Sequence, residues 1–145
     1  MKKVLKNKKI FVAGHNGMVG SSILRYLKNL GSNKIIIQSR KKLDLTNWNK
    51  VNKFLNKTKP NIVINCAGKV GGILANFTYP KEFLFENIYI QLNLLDACCK
   101  NNVRTYINLE VHAFIQKNQD SLLKKIIYCQ ENWNPPMKLM QLQKL

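Results

Sequence analysis

Short apolar runs alternate with longer helical patterns from residue 8 to residue 109 of this chain. The apolar runs predict strands at residues 9–13, 35–38, 62–66 and 103–109. Apolar residues at helical spacing predict helices over 18–30, from Trp48 to the stop at Lys59-Pro60, and from about 79 to 97. Strands and helices that alternate at this length indicate a parallel sheet with right-handed crossovers.

A turn with glycines at positions 14, 17 and 20 joins the first predicted strand to the first predicted helix. We expect Gly14 to permit the tight turn, Gly17 to let the backbone approach a pyrophosphate, and Gly20 to let the helix pack close to the sheet. The spacing G-x-x-G-x-x-G differs from the usual G-x-G-x-x-G, and a plain structural turn is the alternative. The pattern predicts an α/β fold, part of a doubly wound Rossmann-type parallel sheet of about five strands, with residues 1–109 as its dinucleotide-binding half.

The end of the second predicted strand indicates which dinucleotide would bind. Sites for NAD place an acid there for the ribose 2′-hydroxyl, whereas sites for NADP place an arginine nearby for the 2′-phosphate. Here the sequence reads Ser39-Arg40-Lys41-Lys42, with no acid before Asp44. A guanidinium pairs with phosphate through two parallel hydrogen bonds, so Arg40 favours NADP(H). A solvated basic loop is the alternative in so lysine-rich a chain.

The net charge of +17 is the extreme property of the composition. Clustered Lys and Arg would indicate a nucleic-acid-binding face, but the basic residues are scattered and form no stripe interleaved with aromatic residues. A basic surface also suits polyanionic small ligands such as dinucleotides and nucleotide sugars. Nucleic-acid binding therefore stays a minor alternative.

Signals for membranes, export and metals are weak in the sequence. No apolar run approaches the length of a membrane span, and the apolar run after the basic N-terminus is too short for a signal peptide. The four cysteines form no C-x-x-C pair, and the two histidines lie far apart. We expect no metal site, reduced thiols and a cytoplasmic location.

Two blocks of the sequence carry a family resemblance. The run Val-Ala-Gly-His-Asn-Gly-Met-Val-Gly-Ser over 12–21 resembles the opening of the GDP-L-fucose synthases, which are extended short-chain dehydrogenases/reductases. The segments Lys-Val-Gly-Gly-Ile at 69–73 and Asn-Phe-Thr-Tyr-Pro at 76–80 are similar to the same family and more distinctive. The resemblance covers residues 8–109. It implies a homodimeric enzyme that epimerises and reduces GDP-4-keto-6-deoxymannose with NADPH.

The resemblance also implies roles for particular positions. The cofactor-binding residues that it implies are Gly14, His15, Asn16, Gly17, Met18, Val19, Gly20, Arg40, Ala67, Gly68 and Leu109. Among these, Arg40 would meet the 2′-phosphate, while Ala67 and Gly68 would line the cofactor cleft. A loop beside the nicotinamide and the substrate would consist of Lys69, Val70, Gly71 and Gly72. A flexible turn is the alternative for Gly71-Gly72.

The resemblance stops after Leu109. The family continues Gly-Ser-Ser-Cys-Ile-Tyr-Pro-Lys and later carries Tyr-x-x-x-Lys, whereas this chain reads Glu-Val-His-Ala-Phe-Ile-Gln-Lys over 110–117. In the family the Ser and Tyr polarise the keto oxygen, the Lys lowers the tyrosine pKa, and the Cys takes part in epimerisation. Because the chain shows none of them, we assign no catalytic residue.

The genetic code offers a reason for the change. One of the synonymous codon sets that would encode residues 110–117 is GAA GTT CAT GCA TTT ATC CAA AAA. With one G restored in front, the shifted frame reads GGA AGT TCA TGC ATT TAT CCA AAA, which is the family motif. The same frame makes residues 134–144 compatible with a segment that contains Tyr-x-x-x-Lys. We therefore hypothesise that residues 110–145 are a frameshifted, irregular tail, in which the pattern of Leu122, Leu123, Ile126 and Ile127 is compatible with an amphipathic turn or two.

Two consequences follow for the part of the chain that resembles the family. The sheet edge at 104–109 is expected to be open, and the long predicted helix is expected to expose an apolar face that lies in the dimer interface of the family. Two other functions stay open beside the reductase: a non-catalytic NADP-binding module and a basic nucleic-acid-binding protein.

Overall fold

The computed structural model describes residues 5, 7–111 and 124–129 of the chain. The strands are β1 (Ile10–Ala13), β2 (Ile35–Ile37), β3 (Ile62–Asn65), β4 (Thr105–Val111) and β5 (Lys124–Cys129). The helices are α1 (Met18–Asn29), α2 (Trp48–Thr58), α3 (Ile73–Thr78) and α4 (Pro80–Lys100). The predicted strands and long helices are confirmed to within a few residues at their ends.

Local signals account for where the elements begin and end. Helix α2 begins after Asn47, whose side chain accepts a hydrogen bond from the backbone N–H of Lys50 at 3.1 Å. Helix α4 begins at Pro80, which suits the first turn of a helix because its missing N–H has no intrahelical partner there. The short helix α3 was not predicted, because its six residues are too few to show helical periodicity in the sequence.

Four parallel strands form the centre of the sheet, in the order β2-β1-β3-β4. The parallel, doubly wound sheet expected from the sequence is therefore confirmed for these strands. The chain moves from β1 outward to β2 and then returns past β1 to β3, so the winding reverses between β1 and β3. In open α/β sheets, ligands bind outside the carboxyl ends of the strands at such a reversal.

The expectation of an irregular tail and an open edge is wrong at β5. Residues 124–129 pair antiparallel with β4, from Tyr106 opposite Cys129 to Val111 opposite Lys124. The outer edge of β4 offers a row of backbone donors and acceptors. The Ile126-Ile127-Tyr128 run has the β-branched and aromatic residues that favour pairing with such an edge. The rest of the tail, at 112–123 and 130–145, lies outside the described residues.

The core is divided between the two faces of the sheet. Alternate residues of β1 point to opposite faces, so Phe11 and Ala13 join one buried cluster and Ile10 and Val12 join the other. Helices α2 and α4 cover the first face, and they contribute buried residues such as Val51, Leu55, Leu94 and Ala97. Leu27 of α1 packs on the second face. Both faces of the central strands are thus covered, as a parallel sheet requires.

The glycine turn after β1 is held by backbone approaches that leave no space for side chains. Gly14 has a φ of +74°, and a Cβ there would lie 2.6 Å from the backbone of Cys66 and Ala67 at the end of β3. A Cβ on Gly20 would overlap the carbonyl oxygen of Gly14 and lie 2.9 Å from the Cα of His15. Gly20 therefore lets α1 pack against the turn itself rather than against the sheet.

The expected apolar face on the long helix is confirmed. Five large apolar side chains of α4 are exposed, namely Leu84, Phe85, Ile88, Tyr89 and Leu92. They recur at helical spacing, so they share one side of the helix. The opposite side carries the buried Ile90, Leu94 and Ala97.

Substitution of Leu94 by alanine should lower the free energy of unfolding by about 2–5 kcal/mol, because it leaves a cavity under α4. Leu94 is fully buried. Leu74→Ala is the matched control, since Leu74 is 80% exposed on α3. The control should change the free energy by less than about 0.5 kcal/mol. Urea unfolding of the two variants measures the difference, and equal losses would contradict the assigned core.

Gly20→Ala should destabilise the chain by at least about 2 kcal/mol, because the added methyl overlaps backbone that cannot move away without opening the turn. Gly72→Ala is the matched control, since no atom lies within 4 Å of a Cβ at Gly72. Thermal unfolding compares the two variants. A Gly20→Ala protein that melts together with wild type would show that the turn is looser than described.

Candidate cofactor-binding site

A cavity of about 210 Å³ lies at the carboxyl ends of β1 and β3, where the winding of the sheet reverses. The residues predicted from the sequence that line it are Gly14, His15, Asn16, Gly17, Arg40, Ala67 and Gly68. Three separate stretches of the chain are therefore brought together at one site: the glycine turn, the end of β2 and the end of β3.

The other predicted residues lie beside this cavity rather than on its lining. Met18, Val19 and Gly20 form the first turn of α1, and the Met18 side chain points into solvent. Leu109 lies on β4 and packs against the second core cluster. The loop Lys69–Gly72 runs along α4, and a Cβ on Gly71 would come within 2.8 Å of the Phe83 ring. Their binding roles stay predictions.

The glycine turn is suited to an anionic group. Helix α1 begins after Gly17, which has no side chain to cap the first-turn amides, and no acidic residue lies in that turn. These N–H groups have no partner within the helix, and the helix dipole adds positive potential. The buried Nδ1 atom of His15 likewise has no hydrogen-bond partner among the described residues. The turn therefore fits a phosphate-bearing ligand.

The turn after β3 is positioned by buried amides. The Asn65 side-chain oxygen accepts a hydrogen bond from the backbone N–H of Ala67 at 3.0 Å, and its Nδ2 donates to the Asn108 oxygen at 2.7 Å. Both asparagines are nearly inaccessible to solvent, so each needs such partners. This link between β3 and β4 fixes Ala67 and Gly68 against the glycine turn.

Glu86 of α4 links the end of β2 to the loop after β3. Its Oε1 lies 2.6 Å from Nη2 of Arg40, and its Oε2 lies 2.9 Å from Nζ of Lys69. The hydrogen bond from Lys69 and the charges of Arg40 and Lys69 hold the pKa of Glu86 below its ordinary value, although partial burial acts in the opposite direction. Glu86 is therefore a carboxylate at neutral pH.

The neighbouring Asn87 holds the start of the predicted substrate loop. Its Oδ1 accepts a hydrogen bond from the backbone N–H of Lys69 at 2.6 Å, and its Nδ2 donates to the Lys69 carbonyl at 3.0 Å. A Cβ on Gly68 would lie 3.3 Å from the Asn87 oxygen, so the loop approaches α4 closely. Asn87 thus fixes the course of the loop at Lys69 and its distance from α4.

Sequence reasoning gave no role to the polar residues that complete the site. Glu86 and Asn87 are adjacent polar residues in a largely apolar part of α4. In a parallel sheet, the helical connection after β3 must pass the carboxyl end of that strand. Those two facts together could have placed them at the site. Asp44 also lines the cavity, where the side-chain and backbone hydrogen bonds from Thr46 lower the pKa of its carboxyl.

The Cys66 thiol on the cavity lining is unsuited to nucleophilic chemistry at neutral pH. Burial raises its pKa to about 11. The thiolate is the reactive form, so only a small fraction is available near pH 7.

Metal-binding clusters and membrane-spanning helices are both absent from the described residues. Those residues contain no group of three or more His, Cys, Asp or Glu side chains arranged to hold a metal ion. Among the same residues, no helix has the length and the hydropathy that crossing a bilayer requires.

Comparisons with known proteins place these features in a family. The GDP-L-fucose synthase of Sinorhizobium fredii is 44% identical over 106 residues, which are 73% of this chain and 33% of that protein. The GDP-L-colitose synthase of Yersinia pseudotuberculosis is 41% identical over 113 residues, which are 78% of this chain and 36% of that protein. The resemblance to GDP-L-fucose synthases is therefore confirmed, and the chain spans about a third of the length of these relatives.

Solved structures agree with the sequence relatives. A GDP-mannoheptose C4 reductase from Campylobacter jejuni, solved with NADP bound, superposes with a TM-score of 0.68 at 34% identity, over 71% of this chain and 30% of that one. The family model described as the NAD dependent epimerase/dehydratase family matches residues 10–130. The chain belongs to the NAD dependent epimerase/dehydratase family.

Proposed function

We propose that this chain binds NADPH in the cavity at the carboxyl ends of β1 and β3, as the cofactor-binding part of a GDP-L-fucose synthase. The observation that carries the proposal is the position of Arg40, whose guanidinium stands at the edge of the cavity that the glycine turn borders. An arginine at the end of the second strand is the arrangement that accommodates a ribose 2′-phosphate. The NADP bound to the C. jejuni reductase supports the same cofactor.

In this proposal, different residues bind different parts of the cofactor. The amides from Gly14 to Gly20 would hold the pyrophosphate, and Arg40 would hold the 2′-phosphate. Ala67, Gly68 and Leu109 would border the remainder of the cofactor. When bound, NADPH supplies a hydride for reduction of a keto sugar. The loop from Lys69 to Gly72 would then lie beside a GDP-4-keto-6-deoxymannose substrate.

The catalytic residues of such a reductase belong, in this proposal, to another reading frame. Residues 110–145 would be the frameshifted product of a segment that encodes Gly-Ser-Ser-Cys and Tyr-x-x-x-Lys. The support is the recovery of both motifs in a single shifted frame. The match of the family model continues to residue 130, into this tail, so the test has to be made on the DNA. The chain as translated would bind NADPH without turnover, in the cytoplasm.

The exposed apolar face of α4 would belong to a homodimer interface in the complete enzyme. Its five large apolar side chains form a patch of the kind that marks protein interfaces. In the chain as translated, we expect this interface to be incomplete.

Arg40→Gln should weaken NADPH binding by about tenfold, because it removes a charged hydrogen bond to the 2′-phosphate. Binding of NADH, which lacks that phosphate, should change by less than about twofold. Lys42→Gln removes a charge two residues away at a position outside the cavity lining, and serves as the control. Fluorescence titration of the nicotinamide measures all three proteins. Equal losses for NADPH and NADH would contradict the assignment of Arg40.

Sequencing of the DNA across codon 110 should give codons whose frame, after a single-base insertion, encodes Gly-Ser-Ser-Cys-Ile-Tyr-Pro-Lys. The remaining third frame is the internal control and should encode no family motif. A gene with the base restored should produce a dimer that oxidises NADPH with the keto sugar, while the present chain should not. Codons that cannot yield Gly-Ser-Ser-Cys would contradict the frameshift.

A further inference from the structure

The group that would bind the 2′-phosphate already has an anionic partner inside the protein. Nη2 of Arg40 lies 2.6 Å from Oε1 of Glu86, and both residues line the same cavity. A phosphate that uses this guanidinium must therefore share it with Glu86 or displace Glu86 from it. Sequence reasoning foresaw the arginine but not its carboxylate.

The two partners differ in how firmly they are held. The Arg40 side chain is 75% exposed, whereas that of Glu86 is 17% exposed. Glu86 also pairs with Lys69 at 2.9 Å, and the backbone of Lys69 is fixed by two hydrogen bonds with Asn87, which accepts one from the Lys69 N–H and donates one to the Lys69 carbonyl. When an anion enters, Arg40 is thus the partner that can turn away, while Glu86 remains with Lys69.

We propose that Glu86 is an internal competitor for Arg40: a 2′-phosphate has to displace the carboxylate to reach the guanidinium, so Glu86 lowers the affinity of the cavity for ligands that carry a 2′-phosphate and not for ligands that lack one. The inference rests on the proposed binding of the 2′-phosphate by Arg40. An exposed ion pair is weak, so a phosphate dianion with bidentate hydrogen bonds displaces it. A ribose 2′-hydroxyl carries no charge and cannot replace the carboxylate on the guanidinium.

The other charged groups of the cavity support the assignment of the competing role to Glu86. The other carboxylate on the cavity lining, Asp44, accepts two hydrogen bonds from Thr46, and the charge of Arg40 is only the smallest of the influences on its pKa. The pKa of Glu86 is held below its ordinary value, chiefly by Lys69, so Glu86 stays charged throughout the neutral range. The competition therefore operates under the conditions in which a cofactor would bind.

The experiment measures binding of 2′,5′-ADP and 5′-ADP to the full chain by titration calorimetry. Glu86→Gln should tighten 2′,5′-ADP by about two- to fivefold, the range that an exposed ion pair allows, and leave 5′-ADP unchanged. Glu82→Gln is the matched control, because it removes a carboxylate one turn earlier on α4 at a position outside the cavity lining. In an Arg40→Gln background, the gain from Glu86→Gln should disappear.

The outcomes separate this inference from the function on which it rests. If wild type binds 2′,5′-ADP and 5′-ADP equally well, the proposed 2′-phosphate site is wrong, and the proposed role of Glu86 is wrong with it. If wild type binds 2′,5′-ADP more tightly but Glu86→Gln leaves that binding unchanged or weaker, the 2′-phosphate site at Arg40 is supported and the competition by Glu86 is overturned. Equal tightening of both ligands would also overturn it, since that result is a general effect of charge.

Discussion

The architecture of the site depends on one close approach of backbone to backbone. Between β1 and α1, the chain turns at Gly14 directly against the end of β3, and α1 then crosses back over the turn at Gly20. A side chain at either position would push apart the strand end, the turn or the helix. The first-turn amides of α1 face the site only because these three parts touch through backbone atoms.

The close approach has a second effect, on the far side of the cavity. After β3 ends against the glycine turn, the chain continues through the loop at Lys69, which Asn87 of α4 holds, and α4 then places Glu86 on the cavity lining. Arg40 and Lys69 then lie on either oxygen of the Glu86 carboxylate. The packing of β3 against the glycine turn therefore determines where the charged side chains of the site lie.

The sequence predicted the parts of this fold that follow from local pattern. The apolar run Ile10–Ala13, the glycine turn and the periodic α4 each carry their signal within a short window, and the structure confirms them. The pairing of Arg40 with Glu86 joins residues that are 46 positions apart, so no local pattern reveals it. The sequence therefore predicted the fold and the role of Arg40, but not the partner of Arg40, Glu86.

The strand β5 is held to the sheet by its backbone, not by a particular set of side chains. Pairing along β4 uses backbone hydrogen bonds, which any segment without proline and with β-branched or aromatic residues can provide. The edge of β4 is available whether or not the segment that reaches it was selected to do so. Pairing at Lys124–Cys129 is therefore compatible with both a selected strand and a frameshifted tail. By contrast, the contacts of Gly14 and Gly20 tolerate no other residue, and so they carry the information that the edge strand lacks.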